Sequence, residues 1–191
     1  MSRRLLALIA IVALVLASCG GGSSTTTTTV VARFTADAPN PGQGTIAILQ
    51  DSTNGASVTL RITVTEVTNF FGAAFRITYD PNALLFGGWD TSSSFLSEGS
   101  SNNILFSEDH TTIGGTVVVV ATRLSPALPV NVTTTSTLVK INFIARKPIA
   151  AGATEGRLDF GDPKQVCDGT VAAPGCNPIV VSWFGGGLSA K

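Results

Sequence analysis

A single histidine, three cysteines, two tryptophans and a few turn aspartates carry the most distinctive chemistry in this 191-residue chain. His110 stands in Glu108-Asp109-His110, where the surrounding polar residues predict a solvated hairpin turn. A Ser-His-Asp hydrolase would need a strained nucleophile turn, and no Gly-x-Ser-x-Gly occurs. Asp80 and Asp90 could share a cation, but each precedes turn residues and is expected to cap its own turn. Carboxylate pairs that cleave glycosides need a defined separation, and nothing else in the sequence points to one. Trp89, in Gly87-Gly88-Trp89-Asp90, offers a flat ring on which a sugar could stack. Trp183 ends an apolar strand and is expected at a core or edge position. These residues give no nucleophile–base set, no metal ligand cluster and no expected cofactor.

Cys19 has a different context. Arg3 and Arg4 precede an uninterrupted apolar run from Leu5 to Ala17, and Leu16-Ala17-Ser18-Cys19 follows. A charged start, a short apolar stretch and small residues before a cleavage point describe a secretory signal. The run is shorter than the roughly 20 residues a membrane span needs. Leu16-Ala17-Ser18-Cys19 resembles the lipobox of bacterial lipoproteins. The resemblance implies that residues 1–18 are removed and that the Cys19 thiol receives a diacylglycerol. It also implies a place in the bacterial cell envelope, at the outer membrane if the cell has two, because residue 20 is Gly and not Asp.

If Cys19 is lipidated, Cys167 and Cys176 remain. An even remainder in an exported chain points to a disulfide, and the turn-rich residues between them let the ends meet. The competing reading is a metal pair, which has only His110 to assist it.

Charge excludes one class of partner. The chain has 12 basic and 12 acidic residues, and loss of Arg3 and Arg4 leaves 10 against 12, a net −2. Such a balance gives nucleic acid no basic surface, and no polybasic patch would reinforce a lipid anchor.

The elements that position these residues read as strands. Gly20 to Thr29 (GGGSSTTTTT) cannot fill a core, and residues 19–43 read as a tether. Residues 44–191 are expected to form one folded domain, long enough to bury a core. Ser57 to Val67 alternates, with Val58, Leu60, Ile62 and Val64 on one side. Ala73 to Tyr79 and Leu138 to Arg146 alternate in the same way. Ile104 to Ser107 and Thr116 to Arg123 read as a hairpin. Thr45 to Leu49, Leu84 to Phe86, Arg157 to Phe160 and Ile179 to Phe184 complete the set. Residues 87–103 read as a long loop anchored by Trp89, Phe95 and Leu96. Arg61, Arg76, Arg123 and Lys140 fall on the polar sides of their strands. No stretch makes a convincing helix, and the recurring turns predict an all-β sandwich.

Four stretches resemble the cohesin family: Val58 to Val67 (VTLRITVTEV), Gly72 to Leu85 (GAAFRITYDPNALL), Ile113 to Ala121 (IGGTVVVVA) and Thr137 to Ile144 (TLVKINFI). Gly72, Phe75, Tyr79, Asp80, Pro81, Leu84, Leu138, Ile141 and Phe143 match its pattern, and the likeness spans about residues 44–188. It implies a nine-stranded jelly-roll sandwich that binds a protein partner, a calcium-binding dockerin module, without catalysis. On a cohesin-like binding sheet, Arg76, Thr78 and Arg123 are the expected contact residues. The alternative is a carbohydrate-binding sandwich that contacts polysaccharide through Trp89. The domain is expected to be a monomer held at a membrane by its lipid.

Overall fold

The computed structural model describes residues 30–97, 104–111, 114–124, 127–169 and 176–191. The signal segment, the lipobox with Cys19 and the Gly/Ser/Thr run to residue 29 lie outside the described residues.

Alternation decides the architecture. In β3 (Ser57–Thr65), Val58, Leu60, Ile62 and Val64 are all fully buried. In β4 (Val67–Thr78) Val67, Phe70, Ala73, Phe75 and Ile77 are buried. A strand with one apolar face must lay that face against another layer, and these two strands belong to different sheets. Their inner faces meet in one core with Phe143, Ile141, Leu84 and Val119.

The first sheet runs β1 (Ala32–Ala36), β13 (Gly186–Ala190), β10 (Arg157–Asp168), β4, β7 (Thr116–Arg123), β6 (Ile104–Asp109), with short β8 (Val130–Val132) on β4 and β11 (Asn177–Ile179) on β10. The second runs β12 (Ser182–Phe184), β2 (Thr45–Asn54), β3, β9 (Ser136–Ala145), β5 (Leu84–Asp90). Pairing is antiparallel except between β12 and β2. The result is the two-sheet, all-β sandwich of the jelly-roll type that the alternation requires.

Four details differ from the sequence expectation. The described residues hold thirteen strands where nine were expected, because short strands extend the sheets at their edges. The folded part begins before residue 44: Ala32 and Phe34, assigned to the tether, are buried in β1, which pairs with β13 at the other end of the chain. Strand β2 runs past the expected Leu49 to Asn54. Strand β5 runs through Gly87 and Gly88 to Asp90, so Trp89 lies on a strand and not in a loop. Beyond it, Leu96 is fully buried in a single 3-10 turn (Phe95–Ser97), and Phe95 packs edge-on against Phe70.

Candidate functional site

The outer face of the eight-stranded sheet is built from β4, β7 and β10. Arg76 and Thr78 are two residues apart on β4, so both side chains leave the same face. Arg76 lies opposite Val118 on β7 and Gly161 on β10; Thr78 lies opposite Thr116 and Asp159. The Arg76 guanidinium donates to the Asp162 carbonyl at 3.2 Å, and the Thr78 hydroxyl to the Asp159 carbonyl at 3.2 Å. Both side chains are thereby steered toward β10. Ala74, Val118 and Val120 share this face with Arg76, and charged side chains flank them: Asp159 of β10 is level with Thr78, and Asp109 of β6 with Val118.

Arg123 does not join them. It stands one residue past Thr122, which is level with Gly72 on the outer face, so its parity is that of the inner residues Val117, Val119 and Ala121. At the strand end its guanidinium turns back to donate to the Leu128 carbonyl at 2.7 Å. Arg61 and Lys140 lie on the other sheet, where they are cross-strand partners. Arg61, Arg76, Arg123 and Lys140 therefore do not make one patch.

Cys167 and Cys176 form a disulfide, with Cα atoms 5.2 Å apart. It closes the β10–β11 hairpin, in which Cys167 pairs with Pro178. Cys167 is also level with Gly72 of β4, so the bridge marks one end of the Arg76 face.

The turn aspartates act separately. The Asp80 carboxylate accepts the Asn82 backbone N–H at 2.8 Å. Asp90 accepts the Ser92 backbone N–H at 2.8 Å and its hydroxyl at 2.9 Å. These bonds hold the Asp90 carboxyl below its usual range, the backbone bond being the larger cause. Strand β5 lies between the two, about 20 Å at strand rise, so they cannot share a cation. Among the described residues no three His, Cys, Asp or Glu side chains converge on a metal-sized site. His110 is exposed just beyond β6, with its ring 4.9 Å from that of Phe86. Burial pushes the Tyr79 phenol up, and its ring stacks edge-on against Phe143 at 5.1 Å. Trp183 packs against Phe160 and Phe75 at the core margin, at 4.9 and 5.9 Å.

Trp89 occupies a different setting, on the edge strand of the five-stranded sheet, with 46% of its surface exposed. A hollow of about 270 Å³ lies there, bordered by Thr59, Gly87, Gly88, Trp89, Asp90, Lys140 and Asn142. Sequence reasoning singled out Trp89 and placed Lys140 on a polar strand side, but it did not bring the two together and it missed Asn142. The signal was present, as polar side chains alternating with Ile141 and Phe143, but nothing local links residue 142 to residue 87.

The fold is that of a jelly-roll sandwich with one broad exposed sheet face. The sequence model of the cohesin domain matches residues 45–165, and the chain belongs to the cohesin family. The match runs from β2 into β10, so β1, the disulfide and β11 to β13 are wholly or partly outside it. Solved cohesins are similar in fold. One is a type II cohesin domain from the cellulosome of Acetivibrio cellulolyticus (TM-score 0.56, 19% identity, 77% of this chain and 95% of that one). Another is type II cohesin A11 from Bacteroides cellulosolvens (TM-score 0.52, 21% identity, 82% and 96%). A third is the sixth cohesin of scaffoldin B from Acetivibrio cellulolyticus, crystallised in complex with a mutant Cel5 dockerin (TM-score 0.51, 16% identity, 74% and 95%). No curated protein matches the chain.

Proposed function

We propose that this protein is a noncatalytic recognition module that binds a dockerin-type protein partner and is held at the bacterial cell envelope by a lipid on Cys19. The family match over residues 45–165 carries the first half of this reading. It is supported by a similar cohesin whose crystals contain a dockerin. The lipobox-like Leu16-Ala17-Ser18-Cys19 and the apolar run before it support the second half.

The partner face is the outer side of β4, β7 and β10. Ala74, Val118 and Val120 give a partner helix apolar area to cover. Arg76 and Thr78, both anchored toward β10, fix its register through polar contacts. Arg123 contributes by holding the β7–β8 connection at the rim, not by facing the partner.

The test is titration of the full chain, in detergent, with dockerin modules from the same cell. Saturable one-to-one binding, weakened at least tenfold by Arg76→Glu, is the expected result. Absence of binding to every such module at micromolar concentration removes the reading. The anchor is tested separately: Cys19→Ala should move the protein from the detergent phase to the aqueous phase.

A further inference from the structure

Basic side chains collect at the end of the sandwich where the chain enters from the tether. Val31 and Lys191 exchange backbone hydrogen bonds at 2.7 and 3.2 Å, and Ala32 donates to the Gly55 carbonyl at 2.8 Å. On the other side of that hairpin turn, Ala145 donates to the Ala56 carbonyl at 2.9 Å. Arg146, Lys147 and Pro148 then carry the chain across the sandwich end to Ile149, which bridges Ala190. Arg33 is level with Ser189, which makes it the diagonal neighbour of Lys191, and such neighbours are about 7–8 Å apart. Backbone pairing thus brings Arg33, Arg146 and Lys191 to one corner. Arg146-Lys147 is the longest basic run after Arg4, so no patch is visible in the sequence; folding assembles one.

These three differ from the other basic residues. Lys140, Lys147, Arg157 and Lys164 are ion-paired, and Arg76 and Arg123 bond backbone carbonyls. Arg61 is half-buried on the other sheet. Arg33, Arg146 and Lys191 are exposed and have no side-chain hydrogen bond or ion pair among the described residues. Val31, an apolar side chain, is 55% exposed beside them. The acids at this corner are Glu155, paired with Lys147, and Asp80, in the turn whose Ala83 carbonyl accepts the Arg146 backbone N–H. Basic side chains therefore outnumber acidic ones here, although the chain beyond Cys19 is net negative. Asp109 is at the same end but on β6, across β13, β10, β4 and β7 from β1, roughly 24 Å at strand spacing.

Such a corner suits anionic phospholipid. Free guanidinium and ammonium groups meet headgroup phosphates, and an exposed apolar side chain enters the headgroup boundary. Position supplies the partner. Val30 follows Cys19 by about eleven residues, and even a fully extended chain of that length spans only about 40 Å. A tether raises the local concentration of the surface, so a contact too weak to hold a free domain can hold a tethered one. We infer that the corner of Arg33, Arg146 and Lys191 docks on the anionic phospholipid surface that holds the protein's own lipid. The choice of that surface rests on the lipid on Cys19 proposed above. Docked on its strand ends, the sandwich presents the Arg76 face sideways to solvent and not flat to the bilayer.

The experiment is amine footprinting of the full chain in nanodiscs, with Lys191 as the reporter. Discs of phosphatidylcholine are compared with discs that also contain phosphatidylglycerol, using a neutral acetylating reagent and mass spectrometry. Lys191 should be acetylated about fivefold more slowly in the anionic discs, the factor for one lysine held at such a surface, and Lys164 at an unchanged rate. Arg33→Glu with Arg146→Glu, or added salt, should restore the Lys191 rate, because salt shortens the reach of surface charge. Lys164→Glu should not restore it. Thermal melting of each variant checks the fold. Equal Lys191 rates in the two discs, or slowing that survives the double charge reversal, overturn the inference. Slowing in detergent alone that grows with protein concentration also overturns it, because it assigns the corner to a second copy. The anchor is read separately, by retention of the chain in neutral discs. A chain that neutral discs release, but whose Lys191 anionic discs still slow, loses the lipid anchor and keeps the docking corner.

Discussion

Arg157 and Asp37, 120 residues apart in sequence, meet through two parallel hydrogen bonds of 2.8 Å each. The same guanidinium also bonds Asp159, two residues along β10. Asp37 follows β1 directly, and its backbone N–H reaches the Gly185 carbonyl at 3.0 Å, just before β13. The fork therefore ties the end of the first strand to β10, across the intervening β13. A bidentate fork fixes geometry as well as charge.

Arg157→Ala should reduce stability at neutral pH by about 0.5–1 kcal/mol, since both side chains are more than a third exposed and solvent screens the pair. Its pH dependence has a definite sign. Bonding from Arg157 holds the folded-state Asp37 carboxyl below its ordinary 3.8, against an opposing effect of burial. A depressed carboxyl contributes fully above the unfolded value and loses that contribution as pH falls through the folded one. Urea titrations of the two proteins should thus differ at pH 7 and draw together as pH falls below the ordinary carboxyl range. A difference that stays constant with pH would contradict this account.

Phe34→Ala tests where the folded part begins. The Phe34 ring is 95% buried by the strands around it, being only 5% exposed, and it lies against Gly186, where a Cβ would come within 2.3 Å of the ring. Truncation should cost about 3–5 kcal/mol, the usual range for a core phenylalanine. Chemical denaturation reads this directly. A loss under about half a kcal/mol, typical of surface positions, would return residues 32–36 to the tether.

That boundary was hidden from the sequence for a physical reason. Strand β1 is five residues, and its buried positions are Ala32 and Phe34. Its partner β13 is Gly-Gly-Leu-Ser-Ala; Leu188 is level with Phe34, and the glycine at 186 leaves room for the ring. Small buried residues give little hydropathy contrast, and pairing between chain ends has no local signature. The long alternating strands β3, β4 and β9 were legible because their apolar sets are large and regular. The disulfide was legible from the cysteine count. The face of Arg123 was not, because alternation fixes direction only inside a strand and Arg123 is the last residue of β7. Gly87-Gly88 resembles a turn and suggests a loop around Trp89, whereas Gly87 makes room for the Asn142 side chain and Gly88 takes a positive φ within a continuing strand.

Loss of the disulfide, through Cys167→Ser with Cys176→Ser, should destabilise the domain by about 2.5 kcal/mol in the chain-entropy account, the closed loop being nine residues long. The effect should be local first. Strand β11 has only three paired residues on β10, so its amides should exchange faster than those of β4 and β7. Hydrogen exchange on the double variant measures this. Unchanged protection in β11 would mean that its strand pairing suffices without the bridge.

Gly115 and the Tyr79-Asp80-Pro81 turn make the last prediction. Gly115 has φ +75°, and a Cβ there would lie 2.6 Å from the Tyr79 carbonyl oxygen and 3.0 Å from Pro81 Cδ. The Tyr79 backbone N–H donates to the Gly115 carbonyl at 2.8 Å, so the two turns are pressed together at one end of the β4–β7 pair. Gly115→Ala must therefore accept a left-handed backbone, about 1–2 kcal/mol, and a steric displacement of about 1–3 kcal/mol. Gly114, its neighbour, has open space where a Cβ would go. The expected result is a loss of about 2–5 kcal/mol for Gly115→Ala and a much smaller one for Gly114→Ala, read by denaturant unfolding. Because Thr78 precedes Tyr79 and pairs with Thr116, the same substitution should also shift the Arg76–Thr78 face and weaken partner binding. Equal losses for the two glycines would mean that the sequence match at this turn reflects strand pattern alone and not contact between the turns.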